Sequence, residues 1–270
     1  MTVDCRTFPK LDIMSNDNKS IHDFDLNLIV EYYLNTPQQG PGSPETTLKA
    51  LSFIDNLTAD SKIVDIGCGT GGQTKVLAQN TPAPILGIDL FPVFIDRFNE
   101  NAKSLNLQDK MKGIVGSMDK LPFCDEEMDL IWSEGAIYNM GFEKGLKYWR
   151  RFLKEGAYVA VSEISWFTEQ RPKEVEEFWD DAYSEIDTIS RKVDQMQKAG
   201  YKTIAAFAIP DICWTEYFYA PQVKIQEDFL NKNSERKAAI EFIANQRHET
   251  ELYHKYKDYY GYVFYIGKKI

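Results

Sequence analysis

Residues 63–74 read IVDIGCGTGGQT, which sets Asp65 two residues ahead of a run holding Gly67, Gly69, Gly71 and Gly72. A glycine turn between a strand and a helix aims backbone N–H groups at a charged ligand, and the literal G-x-G-x-x-G match suits a dinucleotide. Asp65 opposes that ligand. At ~6 Å and an effective dielectric near 20, a carboxylate and a pyrophosphate would repel by about 2–3 kcal/mol, whereas a cation would be attracted. Asp89, in GIDL, lies about 20 residues beyond the turn, where an acidic residue accepts ribose hydroxyls in doubly wound folds. The two aspartates describe a ligand with a ribose at one end and positive charge near the turn.

Those residues need strand ends to stand on, and the hydrophobic pattern supplies them. Short apolar runs predict strands over 62–67, 84–90, 111–117, 128–134 and 157–165, with helical periods in QTKVLAQN, VFIDRFNENAKSL and YNMGFEKGLKYWRRFL between them. Such alternation predicts a parallel sheet covered on both faces. Further along, YKTIAAFAI (201–209) and a final YGYVFYIG would pair as an antiparallel end to the sheet. The expected fold class is therefore a doubly wound, seven-stranded, mostly parallel α/β sheet with an antiparallel last strand and a helical insertion before it. Ser43 fits an N-cap, with Pro44 at the first helical position and Glu45 in the first turn.

With VDIGCGTGG, GIDL, GSMDKLPF and MDLIWSEGAIYNMG in this order, the chain resembles the class I S-adenosylmethionine-dependent methyltransferases over nearly its whole length. It is similar to the small-molecule branch that includes the ubiquinone/menaquinone biosynthesis type, and to methyltransferases of Bacteroides-like bacteria. The cofactor, with its sulfonium and ammonium, has the form the aspartates ask for. The resemblance implies Asp65, Gly67 and Gly69 along the methionine part, Asp89 on the ribose, Leu90 against adenine and the Met118 backbone N–H on the ring. Where many relatives read G-D-A before LPF, this chain reads Gly116-Ser117-Met118. The usual carboxylate for the adenine amino group is missing, and the Ser117 hydroxyl is its substitute.

Ligands of open α/β sheets sit beyond the carboxyl ends of the strands. On the substrate side that singles out Ser133, Glu134 and Tyr138 after the fourth strand, and Glu163, Ser165 and Trp166 after the fifth. Glu134 could hold the cofactor ammonium or a substrate cation, or pair with a surface lysine. Paired with Glu143, it also faintly resembles the guanidinium grip of protein arginine methyltransferases. The insertion, roughly 211–258, carries Trp214, Tyr217, Phe218 and Tyr219, either as a lid over the methyl site or as anchors to the core. The QGPGS loop is expected to turn the N–H groups of Gly40 and Ser43 toward the cofactor carboxylate. Catalytic candidates are Glu134, Tyr138 and His22. The histidines lack close metal-ligand spacing, and no metal is expected.

A formal charge of −10, with no block of like charges, argues against a long nucleic acid or an anionic membrane as partner. The expected partner is a small-molecule methyl acceptor, with a homodimer contact at YHKYKDYYGYVFY as one use of that aromatic stretch. Four scattered cysteines without a CxxC pair and the lack of an apolar span suit the cytoplasm. Residues 1–13 read as a poorly ordered extension ahead of a start at Met14. Residues 14–45 read as a cap helix and loop, 46–165 as the cofactor core, and 166–270 as the rest of the sheet with the helical insertion. Two alternatives stay open: an NAD-dependent oxidoreductase, on the literal glycine match, and a non-catalytic S-adenosylmethionine-binding protein.

Overall fold

The computed structural model describes residues 26–270; His22, the extension over 1–13 and the start at Met14 lie outside the described residues. The chain begins with α1 (Leu26–Tyr33) and α2 (Pro44–Leu51), then enters the alternation β1 (Ile63–Ile66), α3 (Thr74–Asn80), β2 (Ile85–Asp89), α4 (Pro92–Ser104), β3 (Met111–Val115), β4 (Met128–Glu134), α5 (Phe142–Trp149) and β5 (Leu153–Trp166). There follow α6 (Lys173–Ala182), β6 (Asp187–Thr188), α7 (Ile189–Lys198), β7 (Tyr201–Ala208), α8 (Ile212–Trp214), a π-helical turn (Thr215–Tyr219), α9 (Ala220–Lys232), α10 (Lys237–Tyr256) and β8 (Tyr260–Lys269).

The sheet runs β3-β2-β1-β4-β5-β8-β7. Strands β1 to β5 pair in parallel, while β8 runs antiparallel to both β5 and β7. Strand order therefore reverses between β1 and β4, and a crevice opens at their carboxyl ends. The seven expected strands are present. An eighth, the two-residue β6, pairs with Ser165 and Trp166 and is too short to leave an alternation in the sequence.

One phenyl ring fixes the spacing of the cofactor half. Phe98 of α4 is fully buried and lies so close to the backbone that a Cβ on Gly71 or Gly87 would come within 2.8 Å of it, and one on Gly113 within 3.0 Å. Glycine at these positions lets the helix approach the sheet, and burial of such a ring contributes about 1.5–3 kcal/mol. The opposite face buries Phe142, Leu146 and Trp149 of α5 with Val159, Val161 and Tyr265.

The predicted cap helix and the insertion form one unit. Tyr32 of α1 meets Phe229 of α9 and Phe242 of α10 edge-on at 5.3 and 5.2 Å, and its hydroxyl donates to Gln222 at 2.7 Å. Trp214 stacks on Tyr253 at 4.3 Å and is buried, as is Phe218. Of the two uses open to this segment, lid or anchor, Trp214 and Phe218 take the second. Trp166, expected among the substrate contacts, is also a core residue, 2% exposed, edge-on to Tyr260 and covered by the Arg171 guanidinium.

Gly87→Ala should drive a methyl group into Phe98 and the Cys68 sulfur. A loss of about 1–3 kcal/mol is expected, seen as a lower urea midpoint with an unchanged slope.

Candidate functional site

The turn after β1 is held by β2. Gly67 and Cys68 both donate their N–H groups to the carbonyl of Ile88, at 2.8 and 3.1 Å, and Gly69 donates to Asp89 Oδ2 at 2.9 Å. The other oxygen of Asp89 accepts the Phe91 N–H at 3.0 Å. Gly67, Gly69 and Gly71 have φ of 74°, 53° and 87°, conformations that only glycine adopts without strain. Asp89 thus ties two strand ends together, and each carboxylate oxygen keeps a lone pair free of these two donors.

Asp65, at the carboxyl end of β1, is buried and accepts the Thr74 hydroxyl at 2.6 Å. Burial pushes its carboxyl up to about 7. Glu134 ends β4 and takes two donors on Oε1, the Thr47 hydroxyl at 2.8 Å and the Trp132 indole at 2.9 Å. Its Oε2 is enclosed and has no hydrogen-bond partner among the described residues. Burial pushes this carboxyl up to about 8, and the Asp65 charge adds to the shift. Burial also raises Asp89. Among the described residues no Lys or Arg forms an ion pair with any of the three. A cationic ligand at the crevice would supply the missing charge and give Glu134 Oε2 a donor.

Leu90, 43% exposed, offers an open apolar face beside Asp89. The Met118 carbonyl accepts the Trp149 indole at 3.0 Å, which fixes that backbone segment. Ser117 donates its hydroxyl to Asp119 at 2.5 Å. The Ser117 hydroxyl thus stands beside a carboxylate two residues further on.

The loop ahead of α2 closes over the turn through Gln39. Its side chain accepts the Thr70 N–H at 3.2 Å, donates to the Thr70 hydroxyl at 3.2 Å and reaches the Tyr33 carbonyl. Gly40 lies against the Tyr262 ring. Ser43 requires a correction. Its N–H is donated to Thr46 Oγ1 at 3.0 Å and its hydroxyl accepts the Thr46 N–H, so it caps α2 and has no N–H left for a ligand.

Of the other candidates, Tyr138 is 36% exposed, just past β4, with its ring edge-on to Tyr183 at 6.0 Å. Tyr217 reaches Glu45 at 3.4 Å, beside α2. Glu143 is paired with Lys147 on the surface of α5, so no two-glutamate grip forms. Ser133 donates to the Ile66 carbonyl and Ser165 shares a hydrogen bond with Tyr265; both serve the sheet. Glu163 is buried with Lys192 at 3.2 Å. Tyr262, which the sequence did not single out, abuts the end of β4: a Cβ on Gly135 would lie 3.0 Å from its ring.

Residues 64–161 match the family model of the methyltransferase domain. The chain is 42% identical over 99 residues to a probable chloroplastic tocopherol O-methyltransferase of Oryza sativa, a stretch covering 37% of this chain and 26% of that protein. It is 25% identical over 243 residues to the phosphoethanolamine N-methyltransferase of Plasmodium falciparum, covering 85% of this chain and 81% of that one. The chain thus spans about a quarter of the first relative's length. The fold is that of the solved S-adenosylmethionine-dependent methyltransferase of Geobacter sulfurreducens, a complex with S-adenosylhomocysteine. The two superpose with a TM-score of 0.78 at 17% identity, over 90% of this chain and 98% of the other.

The raised carboxyls have a stability signature. Folded Glu134 holds its proton to a higher pH than an unfolded glutamate, so its contribution is present below about pH 4 and lost as pH rises toward about 8. Glu134→Gln should therefore melt higher than the parent at pH 8.5, by on the order of 5 °C. In thermal scans at pH 5 the gap should shrink.

Proposed function

We infer that this chain, with its methyltransferase domain at residues 64–161, is an S-adenosylmethionine-dependent methyltransferase acting on a small molecule. The observation that carries the reading is the set of three carboxyls, Asp65, Asp89 and Glu134, gathered at the glycine turn with no lysine or arginine among the described residues paired to them. When bound, the cofactor supplies a methyl group already activated by a sulfonium. Gly67, Gly69, Asp65 and Glu134 would hold its positively charged end and Asp89 its ribose. Leu90 would pack on adenine, whose ring edge would meet the Met118 N–H and the Ser117–Asp119 pair.

Transfer is an in-line displacement, and most of its rate comes from holding the acceptor ~3–3.5 Å from the methyl carbon and excluding water. The Gln39 loop, which packs on Thr70, and the α1–α9–α10 cap would exclude it. The tocopherol enzyme is named for O-methylation and the phosphoethanolamine enzyme for N-methylation, so relatives differ in the acceptor atom. The motifs favour the small-molecule branch, and the scattered cysteines suit the cytoplasm. The rival dinucleotide reading would place a pyrophosphate beside carboxyls that have no lysine or arginine partner among the described residues.

Asp65→Asn separates the two readings. Calorimetry should show S-adenosylhomocysteine binding weakened about 5- to 30-fold, equivalent to ~1–2 kcal/mol. An NAD enzyme would bind its ligand more tightly after the same change. With methyl-labelled cofactor and a metabolite extract, a labelled small-molecule product is expected; cofactor binding without any product would mark a non-catalytic binding protein.

A further inference from the structure

Residues 37–42, between α1 and α2, lie across the cofactor crevice as a strap. On one side they meet the glycine turn. A Cβ on Gly72 would lie 3.3 Å from the Pro37 carbonyl oxygen and 3.5 Å from the Gln38 Cβ, and one on Gly69 would overlap Gln39 Oε1. On the other side a Cβ on Gly42 would lie 3.4 Å from Glu134 Oε2, and Gly40 rests against the Tyr262 ring. The strap therefore bridges the turn after β1 and the end of β4, the two strands between which the sheet order reverses. Beneath it the acids are shut in: Asp65 is 3% exposed, and Glu134 Oε2 is enclosed without a hydrogen-bond partner among the described residues. A ligand that gives this oxygen a donor has to pass the strap.

Both ends of the strap are fixed. The Thr36 hydroxyl donates to the Tyr33 carbonyl at 2.8 Å, and Ser43 is locked into the capping box of α2. Within the strap, Gln38 donates to the Gly42 carbonyl at 3.1 Å, which holds the segment together as one piece. Pro37 is exposed and Gln38, Gln39 and Gly40 are half-buried, so this part lies at the surface. Its inner side is held to the turn by a single side chain. Gln39 Oε1 accepts the Thr70 N–H and Nε2 donates to the Thr70 hydroxyl, both at 3.2 Å. The neighbouring N–H groups of the turn find acceptors elsewhere, at Ile88, Asp89 and Cys68. Among the described residues no other residue of the strap hydrogen-bonds to the turn.

Resting on the methyl-transfer reading, we propose that this strap gates cofactor exchange and that Gln39 is its latch: the cofactor enters and its product leaves only while Gln39 is off Thr70. An enclosed site fills through a minor open state, and two neutral hydrogen bonds, each of modest net strength, make such a state accessible. The strap lifts between its fixed ends at Thr36 and Ser43 and uncovers Asp65 and Glu134 together. Closure over the bound cofactor restores both hydrogen bonds and shuts out water. Because the latch closes in the empty and the loaded protein alike, it sets how fast the cofactor exchanges and largely cancels from how tightly it binds. Gln39 is therefore a positioning residue acting through the strap.

Stopped-flow binding and displacement of S-adenosylhomocysteine on the full chain, with hydrogen exchange of the Thr70 amide read by NMR, tests this. Gln39→Ala should raise the association and dissociation rate constants together, each about 5- to 30-fold for the loss of two neutral hydrogen bonds, while Kd stays within about threefold. In the ligand-free variant the Thr70 amide should exchange at least about tenfold faster, with the β5 amides at their parental rates. Rate constants within about twofold of the parent, or a weaker Kd carried by dissociation alone, would overturn the gate and leave the methyltransferase reading standing. Faster exchange throughout β5 would mark a loss of global stability and overturn the latch. Failure of S-adenosylhomocysteine to bind the parent would overturn the reading beneath it, and Thr70 exchange would still decide whether Gln39 holds the strap.

Discussion

Three acids stand around one glycine turn, and among the described residues no lysine or arginine pairs with them. Asp65, Asp89 and Glu134 come from the ends of three adjacent parallel strands, so the strand order that opens the crevice also crowds the charges. Burying an ion without a counter-charge is costly, and such groups respond by holding their protons to higher pH. The shifts toward about 7 at Asp65 and about 8 at Glu134 are that response. A fold that keeps this arrangement accepts lower stability at neutral pH in return for a site that favours a cation. Much of the neighbouring structure holds the acids in place, from the Thr74, Thr47 and Trp132 donors to the Phe98 ring that lets α4 approach the turn.

The antiparallel end of the sheet brings aromatic side chains to the same edge. Strand β8 enters between β5 and β7, and its register, with Tyr262 opposite Ile164, carries the Tyr262 ring to the end of β4. The cap reaches the same edge because α1 is packed onto α9 and α10 through Tyr32, Phe229 and Phe242. One oxygen of Glu163 is neutralised by Lys192 and the other is left open. The cap and the sheet edge therefore meet beside the end of β4.

The strand-to-helix alternation was legible in the sequence because apolar period and glycine punctuation are local signals, and so was the Ser43-Pro44-Glu45 helix start. Asp65, Gly67, Gly69 and Asp89 were legible because their position relative to strand ends follows from the same pattern. The aromatic residues were not. Trp166, Trp214 and Phe218 carry the same residue-type signal as Tyr138 and Tyr262, and only the packed structure separates core anchors from edge groups. Ser43 illustrates a competing use: a good N-cap consumes the N–H that was expected to meet a ligand. The Ser117–Asp119 and Thr74–Asp65 hydrogen bonds were not legible because they depend on side chains folding back across two and nine residues.

The most direct test of the central claim is proton release on cofactor binding. A cation entering this crevice must draw the carboxyls into their ionised forms, so titration of S-adenosylmethionine at pH 7 in buffers of different ionisation enthalpy should report net proton release. Release should fall in Asp65→Asn and in Glu134→Gln. Tight binding with no proton exchange, or with proton uptake, would contradict the account.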